Sequence, residues 1–156
     1  MKNLTQLTQL LQQKKLTIAV AESCTGGNLS ALLTSVGGSS SYFDRGFITY
    51  SNQAKMDMLG VQSSTLDKFG AVSEQTAAEM VRGVIAHATV DVGVSITGIA
   101  GPAGGTSDKP VGTVCFGFCI MNECFTSQEN FSGDRTQIVQ SSISFVVDTL
   151  IHELSS

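Results

Sequence analysis

Leu4, Leu7, Leu10 and Leu11 recur at helical spacing with Gln and Thr between them, which predicts an amphipathic first helix. The pattern then changes period. Leu16-Thr17-Ile18-Ala19-Val20 is short, apolar and β-branched, as a buried strand is. After the polar turn Glu22-Ser23-Cys24-Thr25-Gly26-Gly27, helical spacing returns at Leu29, Leu32 and Leu33, and predicts a helix to about Ser35. Gly37 to Ser41 reads as a loop. Phe43 to Tyr50 reads as a second strand, with Phe47-Ile48-Thr49-Tyr50 at its centre. Ser51-Asn52 then caps a short helix carrying Ala54, Lys55, Met58 and Leu59, which Gly60 stops.

The second half continues the alternation. Leu66 and Phe69 mark a short helix ended by Gly70. Ser73 stands as the N-cap of a longer helix, with Glu74 in its first turn and Ala77, Met80, Val81, Val84 and Ile85 inward. Asp91 to Thr97 is a β-branched third strand suited to a central position. Two strands follow, Val111 to Met121 and Cys124 to Phe131, joined at Asn122-Glu123 as an antiparallel hairpin. Ser132-Gly133-Asp134-Arg135 leads into a last helix with Ile138, Val139, Ile143, Val146, Val147, Leu150 and Ile151 inward, fraying after Leu154. Strands alternating with helices predict a three-layer α/β/α sandwich around a mixed sheet, folded as one domain over 1–156.

Composition narrows the function classes. The chain is 42% hydrophobic and 14% charged, ample for a core. It has no Lys/Arg cluster and a net charge of −4, so no nucleic-acid partner is expected. The first helix is polar, with no apolar signal-peptide core, and no run reaches transmembrane length. The expectation is a soluble cytoplasmic protein with no membrane partner. Its low surface charge suggests a homo-oligomer. The four cysteines have no metal spacing. Cys115 and Cys119 face one side of a strand, and Cys119 and Cys124 could approach across the hairpin, though nothing in the sequence says that they pair. Reduced, mostly buried thiols are the expectation for such a chain.

Candidate chemistry falls at strand ends. A strand, a Gly-containing turn and a helix place hydroxyls and free amides at the carboxyl edge of a sheet, where open α/β folds bind ligands. The start of the helix after Gly27 favours an anion or an oxyanion. Ser23 and Thr25 serve there as nucleophile or as caps, and Gly26 and Gly27 admit a ligand close to the backbone. Cys24 lies in the same turn with no neighbouring His to activate it. Only two histidines exist. His87 ends a helix and His152 lies near the C-terminus, so a Ser-His-Asp triad is not expected. The search for a base turns to Lys55 or Tyr50. Lys55 is either a solvated helix lysine or, if desolvated, a base for Ser23. Thr97 opens a second Gly-rich loop, Gly98 to Thr106. That loop lacks the Walker ending and the dinucleotide fingerprint, and reads as a phosphate or substrate loop or as a plain connection. Arg135 either clamps a phosphate or forms a surface ion pair.

Several motifs occur together in order: Ala21-Glu22-Ser23-Cys24-Thr25-Gly26-Gly27, Tyr50-Ser51-Asn52-Gln53-Ala54-Lys55, Gly70-Ala71-Val72-Ser73-Glu74, Thr97-Gly98-Ile99-Ala100-Gly101-Pro102, Gly104-Gly105, Lys109-Pro110-Val111-Gly112-Thr113-Val114 and Ser132-Gly133-Asp134-Arg135. In this the chain resembles the CinA C-terminal domain family over nearly its whole length. In larger members the domain follows a separate N-terminal domain; the expectation here is a stand-alone domain. The resemblance implies a mixed, mostly parallel five-stranded sheet that ends in a β-hairpin and a C-terminal helix. It implies deamidation of nicotinamide mononucleotide to nicotinate mononucleotide and ammonia, a step of pyridine nucleotide recycling, with no metal and no cofactor. It makes Ser23 the nucleophile, with Lys55 and Tyr50 as its catalytic partners. Thr25, Gly26, Gly27, Thr97, Gly98, Gly101, Gly104, Gly105 and Arg135 are then the substrate-binding candidates. Two alternatives stay open at this point: a non-catalytic nucleotide-binding or interaction module, and an amidase for another small carboxamide.

Overall fold

The structure is a computed structural model and describes residues 3–155. Its elements in chain order are α1 (Leu4–Gln13), β1 (Ile18–Glu22), α2 (Asn28–Leu33), β2 (Phe43–Ile48), α3 (Asn52–Leu59), α4 (Ser63–Phe69), α5 (Glu74–His87), β3 (Val92–Gly98), β4 (Thr113–Ile120), β5 (Glu123–Asn130) and α6 (Arg135–Leu154). The five strands lie in the order β2-β1-β3-β4-β5. β1 pairs parallel with β2 and β3, and β4 pairs antiparallel with β3 and β5. Hence β2, β1, β3 and β5 point one way and only β4 is reversed, which makes the sheet mixed and mostly parallel.

Alternation along the strands builds two cores. On one face Ile18 and Val20 of β1, Val94 and Ile96 of β3, and Phe116 and Phe118 of β4 pack against leucines of α1 and α2 and against Ile143, Val147 and Leu150 of α6. On the other face Ala19 and Ala21 meet Leu59, Val61, Leu66, Met80 and Val84, contributed by α3, α4, α5 and their connections. The second face is lined with small residues because α5 lies close upon it. A Cβ on Gly93 would stand 2.9 Å from Ile85 Cδ1, and one on Gly117 would stand 2.5 Å from the Ala77 carbonyl oxygen. Glycine inside a strand here marks close approach of a neighbouring element.

Local signals set the element ends. Ser51 accepts from the Ala54 amide to cap α3, and Ser73 accepts from the Thr76 amide to cap α5. Gly60 ends α3 in the left-handed region at φ 71°. Asp134 and Gln137 form a capping box at the start of α6.

The structure departs from the sequence reading in several places. β2 stops at Ile48 instead of running to Tyr50, and it is an exposed edge strand. α2 ends at Leu33, short of Ser35. The hairpin strands are trimmed to Thr113–Ile120 and shifted to Glu123–Asn130. Met121 and Asn122 form the turn with φ of 45° and 74°, the twist that a tight antiparallel hairpin requires. That register sets Cys119 opposite Cys124, and the two form a disulfide instead of the expected free thiols. Cys24 and Cys115 are free. Of the expected fraying after Leu154, Ser156 lies outside the described residues.

The close seat of α5 makes a sign-reversed prediction. Gly-to-Ala in a helix interior ordinarily stabilises. At Gly83 the new Cβ would stand 2.2 Å from the Leu59 carbonyl oxygen, which is backbone of α3. Gly83→Ala should therefore lower unfolding free energy in urea by about 1–3 kcal/mol.

Candidate functional site

The carboxyl ends of β1 and β3 lie side by side, as in open α/β sheets that bind ligands there. β1 ends at Glu22, and Ser23 remains tied to the sheet through its amide, 3.0 Å from the Ile96 carbonyl oxygen. The chain then turns through Gly26 at φ 56° and Gly27 at φ 103°, a path that needs glycine twice. On the other side the Thr49 amide donates to the Glu22 carbonyl at 2.9 Å, just past the end of β2. Ser51 starts α3, and its first turn carries Lys55 back beneath Ser23.

Lys55 is 1% exposed, which excludes a solvated helix lysine. Its Nζ lies 3.1 Å from Ser23 Oγ, 3.0 Å from the Thr49 carbonyl oxygen, 3.3 Å from that of Tyr50 and 3.5 Å from that of Ser51. Desolvation by burial lowers the Lys55 pKa from its ordinary 10.5, with the adjacent Cys24 acting in the opposite direction. Burial pushes the Cys24 thiol up to about 12, so it stays protonated and is a poor nucleophile.

Ser23, Lys55, Tyr50, Thr97, Gly98, Gly101, Gly104 and Arg135 all line one cleft of about 270 Å³. Tyr50 contributes two different groups to it. Its carbonyl oxygen faces Lys55 and Ser23, while its ring stands at the rim with the residue 60% exposed. Arg135 donates to the Tyr50 hydroxyl at 3.0 Å and to the Gly101 carbonyl at 2.7 Å, joining α6 to the rim and to the glycine loop. It is not in a surface ion pair; the described residues show one such pair, between Asp44 and Arg45. Thr97 is buried and donates to the Ala71 carbonyl at 2.9 Å.

Thr25, Gly26, Gly27 and Gly105 do not line the cleft. The Thr25 hydroxyl is bound to Glu22 at 2.6 Å. A Cβ on Gly105 would stand 2.7 Å from the Val111 amide, so that glycine serves packing of the loop. Glu22 also occupies the start of α2, where an outside anion was expected. Sequence reasoning missed the part played by Glu22, although a charged residue closing the apolar run Ile18–Ala21 was the available signal. It missed the carbonyls of Thr49 to Ser51 too, since main-chain groups leave no mark in side-chain types.

A second hollow of about 380 Å³ between α5 and β5 is lined by Glu74, Arg82, Phe125 and Thr126 among others, with no serine or lysine in its lining. Among the described residues no three His, Cys, Asp or Glu side chains converge as a metal site would need, and no helix is long and apolar enough to cross a membrane.

Together the fold and the cleft define a small α/β/α protein with a buried serine–lysine pair at the carboxyl edge of its sheet. The sequence pattern of the CinA C-terminal domain matches residues 2–154, and the chain belongs to that family. It is 49% identical over 144 residues to the nicotinamide-nucleotide amidohydrolase PncC of Enterobacter agglomerans, covering 92% of this chain and 88% of that protein. It is 47% identical to the protein of the same name in Escherichia coli K12, again over 88% of that protein. A Clostridium acetobutylicum relative whose name places it among the competence-damage inducible proteins is 49% identical, but this chain spans only 36% of its length. Among solved structures, the competence/damage inducible protein CihA of Agrobacterium tumefaciens matches with a TM-score of 0.95 at 38% identity, over 99% of this chain and 94% of that one. A CinA superfamily protein of Klebsiella pneumoniae matches with a TM-score of 0.95 at 34% identity, over 99% and 96%.

The buried amine makes a stability prediction whose sign can be worked out. Its folded pKa lies below 10.5, so between the two values the unfolded chain binds the extra proton. Stability from this group is fully present above 10.5 and is lost as pH falls through that window. Denaturant unfolding of the parent and of Lys55→Met, followed from neutral pH upward, should show the parent gaining on the variant as pH rises towards 10.5.

Proposed function

We propose that the protein is an amidohydrolase that converts nicotinamide mononucleotide to nicotinate mononucleotide and ammonia, with Ser23 as nucleophile and Lys55 as its base. The observation that carries this reading is the 3.1 Å approach of the buried Lys55 amine to Ser23 Oγ. The names of the PncC relatives supply the substrate.

Burial favours the neutral amine. A neutral amine has two N–H bonds and one lone pair. The Thr49 and Tyr50 carbonyls accept the two N–H bonds, which turns the lone pair towards the Ser23 hydroxyl. Lys55 takes the hydroxyl proton as Ser23 Oγ bonds to the carboxamide carbon. The Cys24 amide, in the part of the turn that lines the cleft, is the candidate donor to the oxyanion. The C–N bond breaks as protonated Lys55 returns its proton to the leaving nitrogen, and ammonia departs. Water then attacks the ester with Lys55 again as base, and Ser23 Oγ leaves with that proton. Arg135 at the cleft mouth is the cation for the substrate phosphate. Thr97, Gly98, Gly101 and Gly104 shape the floor against it. Tyr50 holds Lys55 through its carbonyl and Arg135 through its hydroxyl.

Ammonia release by the full chain should vanish in Ser23→Ala, falling by at least about 10³-fold. Full turnover in that variant would refute the scheme. For the parent, kcat/KM should rise with pH through the lowered Lys55 pKa and reach its plateau below pH 10.5. A limb with its midpoint at the ordinary lysine value would remove Lys55 as base.

A further inference from the structure

Glu22 ends β1 immediately before Ser23 and is fully buried. Its carboxylate is surrounded by donors. Oε1 accepts from Thr25 Oγ1 at 2.6 Å and from the Leu29 amide at 2.8 Å. Oε2 accepts from Ser30 Oγ at 2.7 Å and from the Ser30 amide at 2.9 Å. A carboxylate has about four acceptor positions, and here all are taken. The strand before the nucleophile, the turn that contains it and the helix after it are therefore gathered on one side chain.

The same residue reaches the base through its main chain. The Glu22 carbonyl accepts from the Thr49 amide, and the Thr49 carbonyl accepts from Lys55 Nζ. The turn is closed further by the Gly26 amide on the Ser23 carbonyl at 3.1 Å and by Asn28 Nδ2 on the Thr25 carbonyl at 2.7 Å. Room for the Ser30 hydroxyl comes from β2: a Cβ on Gly46 would lie 2.3 Å from Ser30 Oγ. The carboxylate seated at the start of α2 is thus the protein's own.

We infer that Glu22 is a positioning residue for the reaction at Ser23: its carboxylate fixes the turn so that Ser23 Oγ stays in line with Lys55 Nζ. This rests on the proposed role of Ser23 as nucleophile. An atom displaced by about 1 Å from its reacting partner costs on the order of 10²-fold in rate, so a side chain that sets a turn acts on kcat. Ligand-binding groups sit on the other walls of the cleft, so KM should move little.

Glu22→Gln keeps the volume and places an NH2 group against donors. In the full chain, at a temperature where circular dichroism shows the variant folded, kcat for ammonia release from nicotinamide mononucleotide should fall by at least about tenfold with KM nearly unchanged. The rate at which a sulfonyl fluoride modifies Ser23, with Oγ–S bond formation and loss of fluoride, should fall in parallel when read by peptide mass spectrometry. Ser30→Ala removes one of the four donors and should lower both rates by a smaller factor. A Glu22→Gln protein with a lower Tm but unchanged kcat and unchanged Ser23 modification per folded molecule overturns the proposal, since a merely structural carboxylate would behave that way. If Glu22→Gln does not fold, unchanged rates in Ser30→Ala overturn it. Sulfonylation needs no nucleotide, so a parent modified at Ser23 that releases no ammonia refutes the proposed substrate while Glu22 is still judged by modification rate. A parent that shows neither reaction removes Ser23 as nucleophile, and this inference falls with it.

Discussion

A lysine amine removed from water needs polar partners, and the end of the sheet in this protein is shaped by meeting that need at Lys55. Its partners are three consecutive carbonyls, from Thr49 to Ser51, and the Ser23 hydroxyl. Those carbonyls face Lys55 because the β2 ladder has already stopped at Ile48. Had the strand run on to Tyr50, its main chain would extend away from the turn that encloses the amine. The early end of β2, the Ser51 cap and the return of α3 are one local solution to one desolvation problem. The same burial that requires these partners lowers the lysine pKa, and so favours the neutral amine that the proposed reaction needs.

Around that point the molecule is asymmetric. One face of the sheet carries large side chains and three helices, α1, α2 and α6. The other carries alanine, serine and glycine, and α5 lies directly on them. Close seating of α5 brings the segment before it down onto β3, where Thr97 binds the Ala71 carbonyl and closes one side of the cleft. The opposite side is held by Arg135, whose helix belongs to the large-residue face. The cleft is therefore assembled from both layers, and packing of either face bears on its shape.

Membership in the CinA C-terminal domain family accounts for the fold, and solved members superimpose on nearly the whole chain. Within that fold the chemistry depends on hydrogen bonds that side-chain types alone do not announce. Tyr50 illustrates this. Its hydroxyl pairs with Arg135 at the exposed rim, yet its contact with Ser23 and Lys55 is its main-chain carbonyl. Replacing its ring therefore leaves the Lys55 cradle in place.

The sequence by itself determined the elements and their order. Hydrophobic period distinguishes α1, α5 and α6 from β1 and β3, and Ser51, Ser73, Gly60 and Gly70 stop or start helices by backbone rules that act within a few residues. It also singled out Ser23 and Lys55, through their place at strand ends and through the motifs around them. Only the tertiary structure decided the rest. Periodicity cannot distinguish a solvated lysine on a short helix from one buried against three carbonyls, because α3 is too short to show a clear apolar face. It cannot assign Thr25 to Glu22 instead of to a ligand, since both uses require the same hydroxyl. The pairing of Cys119 with Cys124 follows from a hairpin register that a two-residue shift would abolish. Each of these contacts joins residues only three to six positions apart, yet which partner is chosen depends on how the surrounding segments pack, and only the packed chain sets that.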